Sequence, residues 1–512
     1  LRIVRKVYKK NIDIASINLE DKKTFELFQR GDTTGVFQLE SAGMKRYLKE
    51  LKPTVFDDII AMVALYRPGP MQWIDDFIAR KHGSKKIEYV HPVMEPALRN
   101  TYGIVVYQEQ VMQISKELAG FSGGQADTLR KGIGKKIPEV LAKLKNDFIE
   151  GAVKTNDANK KDMEQFWKSL EDFAAYCFNK SHAACYALIA YQTAYLKAHY
   201  PAAFMAALMT SNFDDTDKLA VEIKECQNMN IPVLPPDVNE SFVEFALVPN
   251  KNEIRFGMGA IKNVGIAAVE EIIRAREECG GAFKDFETFL MNVNGRIVNR
   301  KTIESLVKCG AFDRFETRAT LIANIDTIMA FSSRTSKDSL SGQTDLFGGA
   351  DEKAVKSTLQ LEHPLNPAST AEQLKWEKEL LGVYLSQHPL EAYEVFLSEQ
   401  SLPISTITTD HHNRKITIGG YITNFREIIT KNGKKMAFVS LADKDNEIEV
   451  VLFPETYQKT LGIWDKDKIV IIKGRISSKN DNGESLGEIK ILAEDGREVT
   501  HEQASAYQAT GK

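Results

Sequence analysis

The sequence lacks any surplus of charge. Its 67 basic residues stand against 70 acidic ones, for a formal net charge of −3. Bulk charge therefore does not mark a binder of polyanions, and any such function must rest on local segregation of charge. Cysteine offers no scaffold either. Cys177, Cys185, Cys226, Cys279 and Cys309 lie far apart, with no C-x-x-C spacing. That argues against a zinc ribbon and a disulfide framework, and it fits a reducing cytoplasm. There is no apolar run of about eighteen residues, so no membrane partner is expected. The start is not a signal peptide. The chain begins at Leu1 within a helical-looking LRIVRKVYKK and reads as a fragment of a longer protein.

What is present is 512 residues with 43% hydrophobic and 27% charged side chains, enough for roughly three or four domains with their own cores. The densest charge lies in Gly120 to Lys136, GFSGGQADTLRKGIGKK, where Arg130, Lys131, Lys135 and Lys136 put four cations in seven residues and Asp127 is the only carboxylate. A helix from about Gln125 to Ile133 places Lys131 one turn beyond Asp127 and Lys135 one turn later. Unpaired cations beside exposed glycine backbone suit a triphosphate or a nucleic-acid backbone. A solvated basic face is the alternative. A P-loop is excluded, because Lys136 stands where Ser or Thr is required and a helix rather than a strand comes first.

Earlier in the chain, GVFQL from Gly35 to Leu39 reads as a brief extended piece, and Tyr66-Arg67-Pro68-Gly69-Pro70 must stop the preceding helix, leaving Arg67 at its end. Phe178 to Pro201, FNKSHAACYALIAYQTAYLKAHYP, reads as a long helix with Asn179 or Ser181 as N-cap. Lys180 and Ser181 at its positive end favour an anion. His182, Tyr186, Ile189 and Thr193 share one face, most of which reads as core.

Three prolines in five positions within IPVLPPDVN, Ile231 to Asn239, mark a domain boundary. Gly259 to Gly265, GAIKNVG, has the shape of a helix-hairpin-helix turn, whose glycines let backbone N–H groups approach a phosphate while Lys262 adds a cation. Some such hairpins only pack against protein. A second helical unit runs from Asn299 to Cys309, with Gly310 as C-cap. Residues 331–358 are rich in Ser, Thr, Gly and Asp and read as a loop. Inside it, Gln343-Thr344-Asp345-Leu346-Phe347 exposes a Leu-Phe pair that is costly unless covered, whether by its own domain or by a partner. From Lys415 the period switches to five or six short strands in about eighty residues, with an Asn432-Gly433 hairpin turn, which suits a small Greek-key barrel. The expected fold class is therefore multidomain: mainly α, then a small all-β barrel. Tyr421, Phe425, Arg426, Lys434, Lys435 and Phe438 are candidates for holding a single strand on that barrel, or for its core.

Taken together, VFQLES, ALYRPGPM, IARKHG, YGIVVYQEQVM, GFSGGQADTLRKGIGKK and FNKSHAACYALIAYQTAYLKAHYP resemble, in order and spacing, the C-family replicative DNA polymerases, the alpha subunits of bacterial DNA polymerase III. The resemblance implies a fingers domain over 1–230 and a clamp-binding domain over 231–400, with its helix-hairpin-helix at about 254–312 and its loop at about 331–358. An OB-fold domain over 401–500 and a tail over 501–512 complete the expectation. It implies a nucleotide site of Arg67, Arg130, Lys131, Lys135, Lys180, Ser181 and His182, the first cations near the phosphates and His182 near the sugar. Lys131 stands where arginine is expected in many relatives, so the bidentate fork is lost there. Duplex DNA would meet Ile261, Lys262, Asn263 and Gly265, and a sliding clamp would take Gln343, Asp345, Leu346 and Phe347. The partners implied are primer-template DNA, a deoxynucleoside triphosphate, the beta clamp and other replicase subunits, in the cytoplasm.

The family's Mg²⁺ is held by an Asp-x-Asp pair and a third Asp. Asp75-Asp76 and Asp214-Asp215 are adjacent rather than alternating, and Asp443-Lys444-Asp445 sits in a barrel turn. The expectation is that catalytic residues and metal ligands are absent from this chain, which would bind DNA, nucleotide and clamp without joining nucleotides by itself. An error-prone paralogue, or a non-catalytic DNA-binding and clamp-tethering module, is the alternative.

Overall fold

A computed structural model describes residues 1–134, 138–174, 177–341, 359–364, 368–430, 432–444, 446–479 and 485–510. The chain forms two compact units, residues 1–234 with 240–260, and residues 235–239 with 261–512.

The first unit is helical, and its helices begin where the sequence supplies caps. Asp21 accepts from the Thr24 N–H at 2.8 Å to start Lys22–Arg30, and Gly31, at φ 68°, ends it. Ser41 starts Ala42–Leu51 in the same way. Phe56–Leu65 is apolar nearly all round and is almost entirely buried, as a central helix should be. Against it lies the long helix Lys180–His199, whose buried face is Ala183, Ala187, Ala190, Tyr191 and Ala194. The stripe through His182, Tyr186, Ile189 and Thr193 is not core, contrary to its apolar look. Single-methyl side chains let two helices approach closely, so the alanine face, with Tyr191, turns inward and the His182 and Tyr186 rings are left outside. A second core gathers around Phe148 and Trp167, where helices Gln108–Ala119, Gly123–Gly134, Pro138–Asn156 and Lys160–Ala174 meet. Each large apolar side chain so buried contributes about 1.5–3 kcal/mol.

Two buried lysines tie the unit together. Lys81 Nζ lies 2.7 Å from Asp58 Oδ2, with side chains only 8% and 1% exposed. Asp58 also accepts from the Thr54 N–H at 2.9 Å and from the Tyr102 hydroxyl at 3.0 Å. Lys197 Nζ donates to the carbonyls of Asp32 and Thr34 and to Glu225, at 2.8, 3.0 and 2.5 Å. Burial lowers the pKa of Lys197, and the Glu225 carboxylate opposes that shift. Three two-residue strands complete the unit: β1 Val233–Leu234, β2 Ala246–Leu247 and β3 Ile254–Arg255, with β3 between the other two.

In the second unit, helices Ile266–Glu278, Phe286–Asn292, Arg300–Lys308, Arg318–Ala323 and Ile325–Ser341 lead on from the hairpin. Phe283, Phe286, Phe289 and Phe312 pack there with ring centroids 4.8–5.9 Å apart. Residues 331–341, read from composition as the start of a loop, continue the last of these helices. Glu377, within helix Thr370–Leu381, is fully buried and accepts from Arg318 Nη1 at 2.9 Å and from the Leu385 and Ser386 N–H groups at 3.0 and 3.1 Å. A closed five-stranded barrel follows, as the strand count required. Its strands are β4 Lys415–Ile429, β5 Lys435–Ala442, β6 Glu447–Leu452, β7 Ile469–Lys479 and β8 Ser485–Glu498, in the order β4-β5-β6-β8-β7. Inward positions alternate along each strand, with Ile418, Ile422, Val439, Val450, Val470, Ile472 and Ile491 filling the interior. Residues 501–510, read as a tail, form a helix that packs Ala504 and Tyr507 beside Phe396 and Leu397. Among the described residues no helix is long and apolar enough to cross a membrane.

Candidate nucleotide and DNA interface

Four distant stretches meet at the sharp strand-to-helix turn Tyr107-Gln108-Glu109-Gln110. Gln110 makes the turn. Its buried side-chain oxygen accepts from the N–H groups of Val106 and Tyr107 at 2.8 and 2.9 Å, closing a capping box on helix Gln108–Ala119. The backbone there pairs with Phe178: the Phe178 N–H donates to Val106 O at 3.0 Å, and the Gln108 N–H donates to Phe178 O at 2.9 Å. That pairing delivers the Asn179–His182 cluster. Asn179 is the N-cap, its Oδ1 accepting from the His182 N–H at 2.8 Å.

The positive end of helix Lys180–His199 does hold an anion, but it is the chain's own. Glu109 accepts from the Lys180 N–H at 2.9 Å and from Asn179 Nδ2 at 3.1 Å. The Lys180 ammonium sits 5.4 Å above the Tyr107 ring and 3.9 Å from Asp57. Below it, the Tyr107 hydroxyl is buried without a hydrogen-bond partner among the described residues. Burial, then the nearby Asp57, Asp58 and Glu109 carboxylates, hold its pKa well above the ordinary tyrosine value. Ser181 and His182 are exposed.

Arg130 reaches the same turn from helix Gly123–Gly134, which starts two residues earlier than its sequence suggests. Its Nη1 is 3.5 Å from Gln108 Oε1. The cations of this helix are not unpaired, as their number had implied. Asp127 accepts from Arg130 Nη2 at 2.8 Å and Nε at 3.0 Å, and from Lys131 Nζ at 2.7 Å. These pairs form because residues three and four apart share a helix face. Hydrogen bonds from Lys131, then Arg130, keep the Asp127 carboxyl below its usual range. Lys135 and Lys136 lie outside the described residues.

Arg67 arrives from the other side. After helix Phe56–Leu65, Gly69 at φ 101° turns the chain between two prolines, and the Arg67 guanidinium settles 4.4 Å over the Phe178 ring. Burial draws its pKa down. Beyond Phe178, the rings of His182, Tyr186 and Phe37 follow one another with centroid separations of 5.4, 4.3 and 5.4 Å. Phe37 stands on the Asp32–Glu40 loop. GVFQL is not extended there but makes successive turns, with Gly35 at φ 73° and Gln38 at φ 63° and with Val36 and Leu39 buried on either side. A Cβ on Gly35 would meet Leu208 at 2.4 Å.

The structure thus brings Arg67, Arg130, Lys180, Ser181 and His182 around one turn. Sequence reasoning missed Gln108, Glu109 and Tyr107, which organise it. Their signal is a run of three polar residues, QEQ, beginning just after buried Val-Val-Tyr.

In the second unit, Asn263 adopts φ 67° and Gly265 precedes helix Ile266–Glu278 with no side chain capping it, so the first-turn N–H groups open outwards. Lys262 is exposed, while its backbone N–H donates to Leu380 O at 2.9 Å. Ile261 is buried and anchors the turn. Asn299 caps the following hairpin helix Arg300–Lys308, and Gly310, at φ 86°, closes it. On the barrel, Arg426 lies 5.1 Å over Phe438 on the outer surface. Tyr421 packs instead against Phe396 and Leu397, Phe425 against Tyr457, and Lys435 pairs with Glu427 at 2.8 Å. Gln343, Asp345, Leu346 and Phe347 lie outside the described residues. Among those described, no group of three or more His, Cys, Asp or Glu side chains is placed to share a metal ion.

Residues 1–156 match the bacterial DNA polymerase III alpha subunit finger domain, 230–321 a helix-hairpin-helix motif, and 416–499 an OB-fold nucleic acid binding domain. The chain is 42% identical over 493 residues to the DNA polymerase III subunit alpha of Haemophilus influenzae, covering 94% of this chain and 42% of that protein. It is 42% identical over 467 residues to the Aquifex aeolicus protein of the same name, covering 91% and 38%. With the Escherichia coli K12 subunit it shares 40% over 482 residues, covering 92% and 41%. The chain thus spans about two fifths of the length of these curated relatives.

Proposed function

Because the chain belongs to the family of DNA polymerase III alpha subunits, we propose that it is the nucleotide-, DNA- and clamp-holding portion of a replicative DNA-directed DNA polymerase. The observation that carries this reading is the convergence of Arg67, Arg130 and Lys180 on the Gln108-Glu109 turn, with His182 beside them. In the working protein, Arg130 and Lys131 exchange Asp127 for the phosphates of a deoxynucleoside triphosphate. A phosphate offers the Arg130 fork the same paired oxygens as a carboxylate, with more charge. Lys180 and the first N–H groups of its helix meet the same anion, and His182, free of the core, faces the sugar. The uncapped start of Ile266–Glu278, with Lys262 next to it, takes the phosphate backbone of duplex DNA without reading its sequence. Arg426 and Phe438 offer a single strand one cation and one stacking face.

Arg130→Ala is expected to weaken binding of all four deoxynucleoside triphosphates by about tenfold, the value of a charge-assisted hydrogen bond, in a titration with a fluorescent nucleotide. A loss confined to DNA affinity would place Arg130 on the template instead. The clamp is tested separately. Replacing Leu346 and Phe347 together with alanine is expected to abolish retention on an immobilised bacterial sliding clamp, since such motifs depend on two apolar anchors. Unchanged retention would remove the clamp from the list of partners.

A further inference from the structure

The row of rings that starts under Arg67 is larger than a nucleotide site needs. Phosphate and sugar are met by Arg67, Lys180 and His182, yet the row runs on to Tyr186 and Phe37, and helix Lys180–His199 continues it with Ile189, 43% exposed. Phe37 is 36% exposed although its neighbours Val36 and Leu39 are fully buried. Its N–H donates to Thr193 Oγ1 at 3.2 Å, which fixes the loop that carries it to the helix that carries the other rings. Four rings, from two separate stretches of chain, are therefore held in one row, His182 and Phe37 exposed and Phe178 and Tyr186 half-buried, where exposed aromatic surface has a cost. The core does not use these rings, because the same helix seals its buried side with alanines and Tyr191.

We propose that Phe178, His182, Tyr186 and Phe37 form a stacking track for the unpaired bases of a single DNA strand, running from the cations Arg67 and Lys180 along the outer face of helix Lys180–His199. The charge at the head of the row favours this occupant over a protein. Arg67 lies over the Phe178 ring and Lys180 begins the helix that follows it, so a strand whose bases meet the rings has cations in place for its phosphates. Every base offers a π-face of ring dimensions, so stacking serves any sequence, and the cations give a phosphate backbone its direction along the track. The inference rests on the proposed function only in taking DNA as the ligand. It adds a place for bases to a site so far argued from phosphates and sugar.

Cys185 makes the track directly observable. It lies on the same helical face as His182, Tyr186 and Ile189, and it is the one exposed cysteine of the five. The thiols of Cys177, Cys226 and Cys309 are each pushed up to about 12 by burial, so they react slowly. The experiment measures alkylation of Cys185 in the intact chain, peptide by peptide by mass spectrometry. The probes are a thymidine oligonucleotide of about 12 nucleotides, a length within the span of known single-strand sites, and an abasic strand of equal length. Thymidine is expected to slow alkylation at Cys185 severalfold and the abasic strand to leave it unchanged. Phe37→Ala with Tyr186→Ala should erase the protection and reduce thymidine affinity at least tenfold, while Tyr186→Phe keeps both. Equal protection by the abasic strand, absence of protection, or protection that survives the double substitution would each overturn the track. The measurement on the unsubstituted chain stands even if the double variant folds poorly. It is also separable from the nucleotide reading: Arg130→Ala can fail to affect triphosphate binding while Cys185 remains protected, and the reverse.

Discussion

Asp58→Ala is expected to lower the stability of the helical unit by about 3–5 kcal/mol, because it strands a buried lysine ammonium without its counter-ion. Lys81 enters an interior position only in company: its ammonium donates to Asp58 Oδ2 at 2.7 Å and to Thr54 Oγ1 at 3.0 Å. The same carboxylate accepts from the Thr54 N–H and the Tyr102 hydroxyl and caps the first turn of helix Phe56–Leu65. Removing it therefore ends an ion pair, a cap and a tyrosine hydrogen bond at once. Amide hydrogen exchange within Phe56–Leu65, read alongside urea unfolding, reports the loss at its source. Lys81→Met on the Asp58→Ala background should restore much of the stability, since the stranded charge is then gone. A single-variant loss under about 1 kcal/mol would mean that solvent reaches Lys81, and that the pair behaves like a surface one.

The second large effect belongs to Glu377. Its two oxygens hold Arg318 on one side and the Leu385 and Ser386 N–H groups on the other, so it joins the hairpin helices to the connector that leads towards the barrel. Glu377→Ala is expected to cost about 3–5 kcal/mol and to open exchange at the amides of Leu385 and Ser386. Glu377→Gln keeps one acceptor of the right shape and should cost less. Asp313 remains as a partner for Arg318 at 2.8 Å in both variants. Equal losses in the two variants would show that the charge of the Glu377 carboxylate, and not the shape or the single acceptor that Gln keeps, carries the contribution.

Much of this architecture could be read from the chain. The Asn432-Gly433 turn and the strand-like runs from Lys415 onward suited a small barrel, because five or six short strands in about eighty residues can pair every edge by closing on themselves. Asn179 as N-cap and Gly310 as helix stop followed from local backbone chemistry and hold in the structure. What local chemistry cannot state is which face of a helix meets its neighbour. In Lys180–His199 the stripe of His182, Tyr186 and Ile189 lies outside, and four alanines with Tyr191 lie inside, because packing distance as well as hydrophobicity decided the orientation. The same limit hid the hub of the site. Gln108 and Glu109 gain their roles only through the pairing of Val106 and Gln108 with Phe178, a contact seventy residues away that no window of sequence contains. Composition counted the cations of Gly120–Lys136 correctly but not their partners, since Asp127 serves two of them at once.

That sharing has a consequence for ionic strength. A basic site that waits open holds counter-ions from solution and releases them when a polyanion binds, so its affinity falls steeply with added salt. Here Asp127 and Glu109 already occupy the places that such counter-ions would take. Fewer mobile ions are condensed, so fewer are released. A plot of log affinity for triphosphate against log salt concentration should therefore have a shallower slope than the number of cations in the pocket implies. Asp127→Asn should steepen it.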